Sequence, residues 1–173
     1  MDVRTELQQA ADFWKEKDRA MVALPEKELW AAVDAYLEGH RVCVLATGAE
    51  STLRCTPLEY RWADGALWIF SEGGEKFRNL ARSEAAAVAV FDPVFNFGHT
   101  KGLQMTGKAT VVPLYSEGYL KAAGRLGLTK EKLERLPTPL HLICFKPDSL
   151  VFLNGEFRQK GVGVRQHWER ADA

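Results

Sequence analysis

The chain has 173 residues, of which 46% are hydrophobic and 27% charged, with 23 basic residues balancing 23 acidic ones. This length and composition fit one globular domain with an ordinary core and exclude wholesale disorder. Zero net charge excludes a general nucleic-acid binder, which carries a basic excess to neutralise phosphates, yet leaves room for a local anion site built from two or three cations.

The first forty residues predict two helices. In the first, Leu7, Ala10, Ala11 and Trp14 share one face at helical spacing. The second, "LPEKELWAAVDAYLEGH", has Pro25 in its first turn, Glu26 and Glu28 at its positive end, and a buried stripe of Leu29, Val33, Tyr36 and Leu37. Gly39 is expected to stop it as the residue just past the helix. The period then shortens. "HRVCVLATG" reads as a strand, and "TLRCTPLEYRW" as a second, with Arg54, Thr56, Leu58, Tyr60 and Trp62 on one face. Pro57 suits an edge or a bulge there. "ADG" predicts a tight hairpin into the strand "ALWIFS".

After "EGG" comes a helix, "EKFRNLARSE", then the strand "AAAVAVFDP", a loop "VFNFGHT", and a long strand "KGLQMTGKATVVP" with a bend or bulge at Gly107. Two helical pieces follow, about 116–136, the second capped by Thr129. "HLICFKPDSLVFLNGE" is expected to give two closing strands around Lys146-Pro147-Asp148, and the tail "FRQKGVGVRQHWERADA" a polar arm. Strands in meanders with helices outside predict an α+β fold, an antiparallel barrel with flanking helices. It is read as a single domain over 1–173: N-terminal helices at 1–40, the barrel at 41–156 with the helical insert, and a C-terminal tail at 157–173.

Three cysteines, Cys43, Cys55 and Cys144, are odd in number and lack metal-type spacing, so they read as reduced thiols and no metal site is expected. No apolar run is long enough to span a bilayer, and the amphipathic, acidic start is unlike a signal peptide, which leads to an expected cytoplasmic location.

The stretch "WIFSEGGEKFRNLAR" carries the chemistry. Ser71 ends a strand, Gly73 and Gly74 let backbone approach a ligand, and Lys76 sits in a first helical turn, where a cation is mildly unfavourable unless an anion offsets it. Arg54, mid-strand in "STLRCTP", needs a partner, either a carboxylate such as Glu59 or an anionic ligand. Arg54, Ser71 and Lys76 are expected to meet at one end of the hairpin and hold a phosphate. Trp62, Trp68, Phe95 and Phe97 read as core or interface aromatics, with stacking on a ligand as the alternative. His99 and His167 are solvated or ligand-facing, and no Ser-His-Asp or Cys-His set assembles, so no catalytic side chain is assigned.

Taken in order, these features resemble the pyridoxamine 5′-phosphate oxidase-like, FMN-binding split β-barrel superfamily. The matching pieces are the "LAT" strand, a basic residue in the second strand, the Asp-Gly turn, a strand ending in "FS", the lysine helix "EKFRNL" and a later "GKA" strand. The resemblance is best over about residues 23 to 113. It implies a homodimer with FMN at the subunit interface, Arg54 and Lys76 as phosphate cations, and Ser71 as a hydroxyl ligand after Phe70. It also implies that the segment Arg54, Cys55, Thr56 to Leu58 runs beside the flavin ring, with Gln104 reaching the cofactor from the later strand. Glu59 stands where the true oxidases place a lysine, and their C-terminal tryptophan and Arg-Leu-His-Asp-Arg motif have no clear counterpart. The chain therefore looks closer to the general-stress and uncharacterised flavin-binding branches. The implied function is an FMN-dependent oxidoreductase acting on a small molecule, with a reduced nicotinamide nucleotide as a candidate electron donor. The alternatives are a haem- or flavin-binding module without turnover, with His167 beside Trp168 as the haem candidate, and a barrel with a degenerate cofactor site.

Overall fold

A computed structural model describes residues 2–93 and 98–171. Phe95 and Phe97 lie outside the described residues. The element order is α1 (Val3–Arg19), α2 (Glu26–Gly39), β1 (Val42–Ala49), β2 (Thr52–Glu59), β3 (Arg61–Ala63), β4 (Ala66–Ser71), α3 (Lys76–Leu80) and β5 (Ala85–Phe91). Then follow β6 (Lys101–Val112), α4 (Glu117–Gly124), α5 (Lys130–Glu134), β7 (His141–Asn154), a 3-10 turn (Gly155–Lys160) and β8 (Arg165–Glu169).

All eight strands form one antiparallel sheet in the order β2-β1-β5-β6-β7-β4-β3, with β8 added to β7 beyond β4. Cα atoms of β2 and β4 approach within 8 Å, yet no ladder joins them among the described residues. The sheet is thus curled into an antiparallel half-barrel with an open seam, and the helices flank it, as expected. The β3–β4 hairpin turns through Asp64 and Gly65, both at positive φ (+54° and +68°), the type I′ geometry that a two-residue loop requires. Pro57 lies on the edge strand β2, where the missing N–H breaks no internal ladder.

Four expectations need correction. First, β7 is one continuous 14-residue strand, not two. The register shifts after Thr106, so that Gly107 pairs with Pro147 and Thr106 with Ser149, leaving Asp148 as the extra residue of a bulge. Pro147 therefore sits where the ladder is already interrupted. A Cβ on Gly107 would fall 2.1 Å from the Lys146 carbonyl oxygen, so the bulge admits only glycine. Second, the C-terminal tail is no arm: β8 pairs with β7 from Ser149 to Leu153. Buried Gln166 accepts from Leu24 N (2.7 Å) and donates to the Gly163 carbonyl (2.6 Å), stitching both ends of the chain together. Third, Gly39 is the last helical residue and not a left-handed stop. His40 ends the helix, with its Nδ1 2.7 Å from the Tyr36 carbonyl oxygen. Fourth, α3 is only five residues long.

The core lies between the inner face of the sheet and α2. Leu29, Val33, Tyr36 and Leu37 of α2 are all buried, as the stripe predicts. They meet Leu45, Ile69, Val88, Leu103, Met105, Ile143, Phe145 and Phe152 from the strands. A satellite cluster of Tyr119, Ala122, Ala123 and Leu133 from α4 and α5 covers Trp68, Phe70 and Leu142. Arg125 of α4 ties that insert to the hairpin tip by an ion pair with Asp64 (2.5 Å), which lowers the Asp64 pKa. Helix α1 buries none of its residues and leaves Val3, Leu7, Phe13 and Trp14 exposed. It is anchored at its end, where Asp18 meets both Arg165 (3.3 Å) and His167 (2.9 Å). Among the described residues no helix is long and apolar enough to cross a membrane.

Candidate cofactor site

The open seam between β2 and β4 ends at the turn Glu72–Glu75 and helix α3. Two side chains from this segment converge on one atom. The Ser71 hydroxyl donates to the Gly73 carbonyl oxygen at 3.4 Å, and the Lys76 ammonium makes a short hydrogen bond to the same oxygen. Gly74, at φ +108°, lets the turn close over the lysine: a Cβ there would lie 3.4 Å from Lys76 Nζ. Lys76 is only 5% exposed and packs its ammonium over the Phe77 ring at 5.1 Å. It has no carboxylate within 4.0 Å among the described residues, and burial lowers its pKa.

Helix α3 is held by Asn79, which donates to the Thr47 carbonyl (3.2 Å) and accepts from Thr52 Oγ1 (2.7 Å). Arg54 lies two residues past Thr52 on the same strand face, and Lys76 one helical turn before Asn79. The pin therefore carries Arg54 and Lys76 to the same end of the seam. Arg54 is exposed and has no ion-pair or hydrogen-bond partner among the described residues. Glu59 is not its counter-charge. It sits at the far end of β2, opposite Val42, and pairs with Arg61 at 3.3 Å.

The remaining expected residues divide between surfaces. Thr56 shares the inner row with Leu45, Val88 and Met105, and so lies next along the seam from Arg54. Cys55 and Gln104 face outward. Cys55 stands in the row Cys55–Ala46–Ala87–Thr106, and Gln104 in the next row with Val44 and Ala89. Phe70 points away from the seam and packs edge-on against Tyr119 (5.8 Å) in the satellite cluster. A five-residue α3 has little macrodipole, and the N–H groups of Phe77, Arg78 and Asn79 already bond to Gly74 and Glu75 carbonyls. Any anion attraction at this end thus comes from Lys76 and Arg54, and not from a helix terminus. Burial pushes the Cys43 thiol up to about 12, which leaves it inert at neutral pH, while Cys55 is exposed.

The outer face of β1, β5 and β6 was missed by reasoning from single strands. A groove of about 1130 Å³ crosses it, floored by Ala46, Gly48, Ala85 and Ala87 and rimmed by Leu53, which is 84% exposed. The alternation of small residues in "LATGA" and "AAAVA" is the signal for it.

Comparison with known proteins agrees with this architecture. An FAD-binding protein from Mesorhizobium loti superposes with a TM-score of 0.57 at 20% identity, covering 76% of this chain and 95% of that one. HutZ, the haem storage protein of Vibrio cholerae, gives 0.56 at 15% identity over 68% of this chain and 88% of its own. A conserved hypothetical protein of Mycobacterium tuberculosis, Rv2991, gives 0.63 at 16% identity, covering 82% and 92%. No curated protein matches in sequence. The model of the pyridoxamine 5′-phosphate oxidase family matches residues 29–154, more than half of the chain, from Leu29 within α2 to the end of β7. The chain therefore belongs to the pyridoxamine 5′-phosphate oxidase family.

Proposed function

We infer that this protein binds FMN, with the phosphate at the seam's end between Arg54, Ser71 and Lys76, and works as a homodimeric oxidoreductase on a small molecule. Lys76 carries the reading. A buried ammonium with, among the described residues, a single carbonyl partner and no carboxylate is costly, and an entering phosphate dianion removes that cost. Arg54 adds a planar, unpaired fork suited to phosphate oxygens, and Ser71 a hydroxyl donor. Beyond them β2 is an edge strand, so its backbone from Arg54 to Leu58 offers unpaired N–H and C=O groups to the polar rim of a flavin ring. The FAD-binding relative from Mesorhizobium loti supports a flavin at this fold.

The outer face supports the dimer. Its small side chains make a shallow apolar groove suited to a second copy, and Cys55 and Gln104 lie on it. A cofactor lying where two copies meet would touch the seam of one and this face of the other. When bound, FMN supplies hydride and electron transfer, and the protein contributes binding, orientation and the hydrogen bonds that set its potential. A reduced nicotinamide nucleotide is the proposed electron donor.

The test is one absorbance spectrum of the purified protein, before and after incubation with FMN and desalting. Retained flavin bands are expected. A colourless protein after both steps overturns the reading. Haem binding without turnover is a second reading, favoured by one contact. His167 Nε2 is held by Asp18 Oδ2 at 2.9 Å, the carboxylate-to-imidazole arrangement that orients ligating histidines. A Soret band in the same spectrum, lost in His167→Ala, would replace flavin with haem.

A further inference from the structure

Three of the five tryptophans converge on a slot whose lining shares no residue with the Arg54, Ser71 and Lys76 set. Trp30 of α2, Trp62 of β3 and Trp168 of β8 line an open slot of about 350 Å³, completed by Asp34, Pro147 and Gly65. All three indoles are half-buried against the core, so their outer surfaces form walls and not a sealed interior. Trp30 and Trp168 meet at 80° with ring centroids 4.8 Å apart, which makes two perpendicular walls.

The charges around the slot are one-sided. Glu26, Trp30 and Asp34 follow one another at i, i+4 and i+8 along α2. Trp168 Nε1 donates to Glu26 Oε1 at 2.8 Å, and Trp62 Nε1 donates to Asp34 Oδ1 at 2.9 Å. Neither carboxylate has a cation within 4.0 Å among the described residues. Arg170 also lines the slot, but its charge is already met by Asp148 (3.2 Å), and it donates to the Pro147 carbonyl (2.8 Å). Among the described residues both carboxylates thus lack a cation partner behind three aromatic walls, Glu26 meeting only the partial positive charge of the α2 N-terminus.

Each carboxylate also acts through the ring it holds. An indole whose N–H is drawn towards an anion becomes more electron-rich on its face, and the indole face is the aromatic surface that attracts cations best. Fixed orientation, right-angled walls and residual negative charge together describe an aromatic cage. Neutral apolar ligands gain nothing from the carboxylates, and anions are repelled by them. We propose that this slot binds the quaternary ammonium group of a small soluble molecule. The site is separate from the seam and does not depend on the flavin reading.

Choline and its uncharged isostere 3,3-dimethyl-1-butanol are the probes, titrated into the full chain while the indole N–H resonances of Trp62 and Trp168 are followed by NMR. Choline is expected to shift both resonances saturably, and to bind at least about tenfold more tightly than the isostere, as a partly desolvated cation–π contact allows. Glu26→Gln and Asp34→Asn, which keep a hydrogen-bond acceptor for each indole, should each weaken choline by roughly threefold to tenfold without moving the isostere. Trp168→Leu should abolish the response, with circular dichroism and thermal melting reporting whether that variant folds. No saturable shift in the millimolar range, or equal affinity for choline and the isostere, overturns the proposal. Phosphatidylcholine vesicles are the second arm. Sedimentation with them and no response to free choline overturns a soluble ligand and assigns the headgroup to a membrane.

Discussion

The two faces of the same sheet differ in what they fill. Across one inner row run Leu45, Val88, Met105 and Leu150, all at most 2% exposed, and α2 closes over them. Across the neighbouring outer row run Cys55, Ala46, Ala87, Thr106 and Ser149, none of them buried. The strands are the same and the ladder is the same. Only the side-chain volume changes, with the period of two that a strand imposes. The inner face needs volume because it makes the core together with α2. The outer face carries small side chains, mostly apolar along β1 and β5 and hydroxylated at Thr106 and Ser149, which suits close approach of another flat surface.

The largest effects should separate the two faces. Leu45→Ala is expected to lower unfolding free energy by about 2–5 kcal/mol, the cost of a cavity in a closed core, as read by denaturant melts. Ala87→Glu, one row away, should leave the secondary structure intact by circular dichroism and convert a dimer to a monomer in sedimentation. If Ala87→Glu unfolds the chain, or the unmodified protein is already monomeric, the outer face is not a subunit interface.

Next come the cations at the seam. Arg54→Ala and Lys76→Ala should each weaken FMN by about 1.5–3 kcal/mol, the range for a charge-assisted hydrogen bond. Unchanged titrations in both variants would move the phosphate elsewhere. Lys76 gives a sharper version through pH. Burial holds its pKa below the ordinary 10.5 in the free protein, and a bound phosphate favours the charged form and raises it again. Between those two values binding takes up a proton, so FMN affinity should fall as pH rises, by up to about tenfold per unit. Lys76→Arg should shift that limb to higher pH. In the free protein the lowered pKa means the charge opposes folding below it, so Lys76→Met should raise the melting temperature near neutral pH while weakening FMN. For a lysine with a purely structural role, Lys76→Met would instead lower the melting temperature and leave FMN affinity unchanged. The smallest effect belongs to Glu59→Gln. Its pair with Arg61 is exposed and worth less than about 1 kcal/mol, and FMN affinity should not change.

What the sequence made legible was local. The α2 stripe, the Asp64–Gly65 turn, the edge position of Pro57 and the bulge at Gly107 each follow from the chemistry of a few neighbouring residues. What it hid was pairing at a distance. Pro147 looked like a strand break because its accommodation depends on Gly107, forty residues earlier in the chain. The tail looked like an arm because Gln166 finds its partners at Val22, Leu24 and Gly163, and only Gly163 is nearby in sequence. At the seam, Ser71 and Lys76 are readable as a pair because only four residues separate them. Of the two candidate partners for Arg54, the carboxylate of Glu59 lies out of reach, because five strand residues at about 3.3 Å each carry it to the far end of β2. The tryptophan slot had no signal at all, since its walls come from α2, β3 and β8.

The stitching of the two ends has a consequence for synthesis. Leu24 N, Glu26 and Asp18 find their partners on Gln166, Trp168, Arg165 and His167, 142 to 149 residues further along the chain. A ribosome releases the N-terminal segment long before those partners exist. Strands β1 to β6 can pair while the chain is still being made, but α1 and the link to α2 must wait. Until β8 emerges, Asp18 lacks Arg165 and His167, and α1, whose Leu7, Phe13 and Trp14 stay exposed even in the finished fold, is untethered and free to meet a chaperone.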